Sequence, residues 1–224
     1  AGGYHAVTLD ELHEWQTGRR ELPGKPVVIT FDDGDQSVYD LALPILARYG
    51  FRATLFVVTS RVGTRWNGID CLDWSRLREL EESGVFRVES HTDDLHYKVE
   101  TADHTEPVFV AASEHGAEID GSRDWERKVR EDLQRSSAAI ERNLGRQPHF
   151  LAWPYGAANA KLNRIAAEEG FVRTCSLRAK RNVRVFATAS NAAPPVEISR
   201  YTITARTSLR VFKSILDGTH RPQA

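Results

Sequence analysis

Along most of its length this chain repeats one unit: a short run of β-branched and aromatic residues, a turn, and a helix-period segment that stops at Gly. Strand-like runs fall at 4–7, 27–31, 53–58, 85–90, 149–153, 171–176 and 198–203. Helix-period segments fall between them, at 9–17, 38–49, 74–83, 124–144 and 160–169, with a closing one at 208–216. Thr8-Leu9-Asp10-Glu11 has capping-box spacing and Asp73 precedes Trp74 as an N-cap. In the 38–49 segment, Val38, Leu41, Ala42, Ile45, Leu46 and Tyr49 are placed on one face, with Gly50 as the stop. Strands that alternate with helices pair in parallel through crossovers. The pattern predicts a barrel-like α/β fold of about seven parallel strands, with an open doubly wound sheet as the alternative. The stretch 97–123 reads as one long irregular loop.

At 224 residues, 41% hydrophobic and 27% charged, the chain has the composition of an ordinary globular protein. It is expected to form a single domain over residues 1–224. The formal net charge of −1 gives no basic field for nucleic acid or an anionic membrane. Apolar runs are too short for a spanning helix, so no transmembrane segment is expected in this chain. Cys71 and Cys175 are far apart and read as unpaired thiols. The chain opens on Ala1-Gly2-Gly3-Tyr4 without a Met, and is expected to be truncated at its N-terminus.

The run "VVITFDDG" ends on Asp32-Asp33, two adjacent carboxylates at the C-terminal end of a strand. Neighbouring carboxylates resist joint ionisation and lose hydration on burial, so a cation nearby would account for them. A helix cap would need only one. "ESHTDDLH" at 89–96 supplies imidazoles: His91 follows a strand, and a turn through Thr92-Asp93-Asp94 can bring His96 back to it. Two imidazoles and one carboxylate leave positions open for water and substrate, the pattern of a catalytic metal site. The second carboxylate is then free to take a proton from water. Tyr155, after the run 149–153, leaves the same rim, where α/β folds place their chemistry.

"TFDDG" at 30–34, "SHTDDLH" at 90–96 and "AWPYG" at 152–156, in this order, resemble the first three motifs of the polysaccharide deacetylases, carbohydrate esterase family four. The subgroup most similar is that of the poly-β-1,6-N-acetylglucosamine deacetylases of biofilm export. The resemblance implies a distorted (β/α) barrel and a hydrolase that removes acetyl from N-acetylglucosamine units of a polysaccharide. It implies Asp32 as general base and Asp33, His91 and His96 as ligands of one divalent metal ion, zinc first, with cobalt, nickel or iron after it. It implies a Tyr155 backbone N–H that holds the oxyanion, in a substrate-binding turn of Trp153, Pro154, Tyr155 and Gly156. An extracellular or cell-envelope location follows from the resemblance alone.

Two departures from the family pattern matter. Most members carry Arg where this chain has Ala152, and that Arg orients the base; Arg200 in "ISRYTI" is expected to replace it. No Leu-x-His motif for a general acid follows the late strands, so the acid is expected upstream of Ala1. His220 lies in a polar tail that reads as frayed, His104 and His115 as solvated loop residues, and Trp66 as a sugar-stacking candidate. The competing readings are an O-acetyl or non-sugar amide hydrolase on the same scaffold, and a glycan-binding protein whose site has decayed.

Overall fold

The computed structural model describes residues 2–178, 182 and 197–220. β1 (His5–Ala6) leads into α1 (Leu9–Gln16), and the expected capping box is present. Thr8 Oγ1 accepts from Glu11 N at 3.1 Å, and Thr8 N donates to the Glu11 carboxylate at 2.8 Å. β2 (Pro26–Val27) and β3 (Thr30–Phe31) follow, then a π-helical turn (Val38–Ala42) that runs into α2 (Leu43–Tyr49). Next come β4 (Ala53–Val57), the small antiparallel pair β5 (Arg65–Trp66) and β6 (Ile69–Asp70), and α3 (Trp74–Glu82), capped by Asp73. β7 (Phe86–Ser90), the hairpin β8 (Lys98–Glu100) and β9 (Thr105–Pro107), α4 (Val108–His115) and the long α5 (Trp125–Leu144) complete the middle of the chain. β10 (Phe150–Ala152), α6 (Ala160–Glu168), β11 (Arg173–Ser176), β12 (Ile198–Ser199) and α7 (Leu209–Asp217) close it.

Six strands form one parallel sheet in the order β12–β11–β10–β7–β4–β3. The order follows the chain without reversing, as in a (β/α) barrel, and rules out the doubly wound alternative. The sheet curls until its two edges meet: Arg200, just after β12, bonds Thr30 on β3 and the Asp32 that follows it. Side chains alternate across β4. Phe56 faces inward with Phe150, Ala152, Cys175 and Ile198, and α1 closes this interior with Leu9 and Leu12. Leu55 and Val57 face outward beneath Leu46, Leu77 and Leu80 of α2 and α3. On the far side, Leu151 and Trp153 pack with Phe109, Val129, Leu133, Leu162 and Ile165.

The structure differs from the sequence reading in four details. Among the described residues the main sheet has six strands rather than about seven. The run 27–31 changes partner midway: β2 pairs with β1 in a separate two-stranded sheet, and β3 pairs with β4. The face assigned to 38–49 is only partly buried, since Val38 and Leu46 are enclosed but Leu41, Ile45 and Tyr49 are exposed. A π-helical turn adds a residue to its turn and shifts the phase of the stripe beyond it. The stretch 97–123 is not one irregular loop either. It carries β8, β9 and α4, whose Val108, Phe109, Ala111 and Ala112 are buried. No helix among the described residues is long and apolar enough to cross a membrane.

Candidate metal and catalytic site

The site is assembled at the C-terminal ends of β3, β7, β10 and β12. After β3 the chain turns sharply, with Asp33 at φ 73° and Gly34 at φ 81°. A left-handed conformation costs a non-glycine residue on the order of 1 kcal/mol, so the turn is held by its surroundings. It lets neighbouring carboxylates diverge. Asp33 reaches towards β7 and Asp32 towards β12.

His91 is buried at the end of β7, and its Nδ1 lies 2.7 Å from the Ala152 carbonyl oxygen. A carbonyl only accepts, so Nδ1 is the donor here and Nε2 is turned towards Asp33. His96 returns to the same point through the turn 92–94. Asp33 Oδ1 lies 3.5 Å from His91 Nε2 and 3.3 Å from His96 Nε2. One donor atom from each of the three residues falls within 4.8 Å of the others. Asp33 Oδ1 is enclosed and has no hydrogen-bond partner. Burial, and then the neighbouring His91, push the His96 imidazole below its usual pKa, towards the neutral form that ligates. An orphaned carboxylate oxygen beside two imidazole nitrogens is a donor set that fits a divalent cation.

Asp32 is gripped from the opposite edge of the sheet. Arg200 Nη1 donates to Oδ1 at 2.7 Å and Nη2 to Oδ2 at 2.9 Å, a bidentate fork. The Arg200 side chain is largely enclosed, with its guanidinium 5.3 Å from the Phe56 ring. Burial pushes the Asp32 carboxyl up, but the charges of His91 and Arg200 outweigh it and hold the pKa below the ordinary carboxylate value. Arg200 acts through its charge and through its hydrogen bonds as well.

After β10, Tyr155 adopts φ 59° and ψ 7° in the turn Pro154–Gly156. Pro154 has no N–H and Gly156 N donates to the Trp153 carbonyl at 2.9 Å, which leaves the Tyr155 N–H as the turn's remaining donor. The Tyr155 ring packs 4.5 Å from His96, and its hydroxyl donates to the His96 carbonyl at 3.3 Å. Trp66 of β5 stands edge-on to His96 at 4.9 Å, so His96 is held between two aromatic rings. Lys98 Nζ lies 4.7 Å from the centroid of the Tyr155 ring. The sequence offered no signal for Lys98, because its place depends on the hairpin β8–β9.

Two members of the expected substrate-binding turn are placed otherwise. Trp153 is fully buried, stacks on Phe109 at 5.1 Å, and donates Nε1 to Asn163 Oδ1 at 3.0 Å. Pro154 is buried too. Their side chains brace the turn from beneath and do not face the rim. Gly156 has a separate constraint, since at φ +66° an added Cβ would lie 2.4 Å from Leu177 Cγ and 2.6 Å from its backbone N. Gly156→Ala should therefore displace the turn and lower kcat more than it raises KM. A variant with unchanged kcat would show that the turn tolerates the shift.

Five further histidines have partners of their own. His13 meets Arg19, His149 meets Asp10, and His104 and His115 both face the buried Glu106. His220 is not frayed: its ring packs against Tyr201 and its backbone N donates to the Ser214 carbonyl. The tail beyond it, 221–224, lies outside the described residues.

A family profile described as polysaccharide deacetylase matches residues 19–173. The chain belongs to the polysaccharide deacetylase family. It is 31% identical over 182 residues to a poly-beta-1,6-N-acetyl-D-glucosamine N-deacetylase of Escherichia coli K12, covering 75% of this chain and 26% of that protein. It is 30% identical over 154 residues to the enzyme of the same name in Staphylococcus epidermidis, covering 68% of this chain and 48% of that one. The chain thus spans less than half the length of these two relatives. Among solved structures, IcaB from Ammonifex degensii superposes with a TM-score of 0.74 at 32% identity, over 92% of this chain and 79% of that one.

Proposed function

We propose that this chain is a metal-dependent hydrolase that cleaves the acetamide of N-acetylglucosamine units in a polysaccharide and releases acetate. The observation that carries this reading is the meeting, on one rim, of an arginine-clamped carboxylate with an Asp-His-His donor set. Asp33, His91 and His96 would hold the divalent cation, with zinc the first expectation. When bound, such a cation supplies Lewis-acid polarisation of the acetamide carbonyl and acidifies water at the site.

The residues divide the remaining work. Asp32, held ionised by Arg200, accepts the proton of the attacking water. Arg200 fixes both carboxylate oxygens, so the lone pair that takes the proton has a set direction. The Tyr155 N–H donates to the oxygen on which negative charge develops. Tyr155 and Trp66 flank His96 and offer aromatic surface to a sugar ring. The acetylated polymer places the proposed work at the cell envelope or outside the cell.

Acetate release tests this reading. Oligomers of β-1,6-linked N-acetylglucosamine should yield acetate and free amine, chelation should abolish the release, and added zinc or cobalt should restore it. Release from acetylated xylan alone would instead mark an O-acetyl esterase. Glycan binding without any release would mark a decayed site.

A further inference from the structure

The chain between His91 and His96 must reverse within a few residues, and it does so under strain. Thr92, a β-branched residue, sits at φ 73°. What holds this reversal comes from behind it, on α5. Thr92 N donates to Ser90 Oγ at 3.1 Å, and Ser90 Oγ lies 2.7 Å from Ser136 Oγ. Asp93 N and Asp94 N each donate at 2.8 Å to Asp132, one to each carboxylate oxygen. Arg135, one turn on, bonds Asp93 Oδ2 at 2.8 Å. From the other side, Thr59 Oγ1 donates to Asp93 Oδ1 at 2.7 Å.

Asp132 is only 1% exposed and sits on the core-facing side of α5, next to the fully buried Leu133. A carboxylate there is costly, and helix packing gives no reason for it. The turn does. The two N–H groups go to different oxygens of the side chain, and a carboxylate offers two acceptor oxygens where an amide offers one. We propose that Asp132 is a positioning residue for the cation site, fixing the turn at 92–94 and through it the separation of the His91 and His96 imidazoles. The proposal rests on the reading of those histidines as ligands. Residues that orient ligands without touching the metal typically change affinity by ~10–100-fold when removed.

The test uses the full chain and Co²⁺ as the probe. Asp132→Asn keeps the side-chain shape but aims an NH₂ group at one of the two amides. It should weaken Co²⁺ binding, read by chelator competition, by ~10–100-fold. Ile140→Val is the comparison, a buried change on the same helix that leaves the turn's hydrogen bonds alone. It should lower Tm but keep Co²⁺ affinity within about twofold of the parent, as expected for a distant site. Hydrogen exchange on the cation-free protein gives a second readout: the Asp93 and Asp94 amides should exchange faster in Asp132→Asn and not in Ile140→Val. An Asp132→Asn protein with parental Co²⁺ affinity and parental exchange at these amides would overturn the proposal. A parent chain that takes up no Co²⁺ would overturn the ligand reading instead, and the exchange result would still decide whether Asp132 holds the turn.

Discussion

Asp32→Asn should lower kcat by ~10²–10⁴-fold while the protein keeps its cation, the range expected for loss of a general base. Asp33→Asn and His96→Ala should lose both cation and activity. The split follows from geometry: the Asp33 carboxylate stands 3.5 and 3.3 Å from the imidazole nitrogens, whereas both oxygens of Asp32 are engaged by Arg200. Asn at 32 still offers Arg200 one acceptor, so the sheet edges stay joined at that point. Metal content and turnover should be measured on the same preparations. Equal metal loss in Asp32→Asn and Asp33→Asn would sink the division of roles.

Arg200→Ala should also be strongly damaging, and its signature lies in pH. Arg200 holds the Asp32 pKa down against burial, so its removal lets that pKa rise. The base is then protonated at a higher pH, and the acidic limb of kcat/KM moves upward. Sign and window agree for stability: a depressed carboxyl stabilises the fold above its unfolded pKa and loses that contribution as pH falls through the folded value. The variant also leaves a largely buried carboxylate unpaired and unfastens β12 from β3. Breaking such a pair costs about 3 kcal/mol, so Tm should fall as well. Arg200→Lys keeps the charge but not the fork, and should recover part of the pH limb and little of kcat. A limb and rate unchanged in Arg200→Ala would refute the pairing as functional.

Much of this was legible in the chain. The capping box at Thr8, the Asp73 cap, the Gly50 stop and the span of α5 were read correctly because each is encoded within a few residues. The donor set was legible because Asp33 and His91 each follow a strand and a short turn brings His96 back. Trp153 was misplaced for the opposite reason. Its motif puts it beside Tyr155, but whether its ring faces rim or core depends on Phe109 and Asn163, and no local pattern announces either. Asp132 went unread although a signal existed, an acidic residue on the buried side of an amphipathic helix.

The sequence alone determined the alternation of strands and helices, the caps and stops, and the kinds of side chain delivered to one rim. Those follow from backbone propensity and hydrophobic period, which act over one or two turns of chain. Only the tertiary structure decided that the run 27–31 would divide between two partners, that Leu41 and Ile45 would face outward, and that Arg200 would close on Asp32 across 168 positions. Each of these depends on the curl of the sheet. That curl is set by how Phe56, Phe150 and Ile198 fill the interior together with α1, a balance of packing among residues that are neighbours only once the chain has folded.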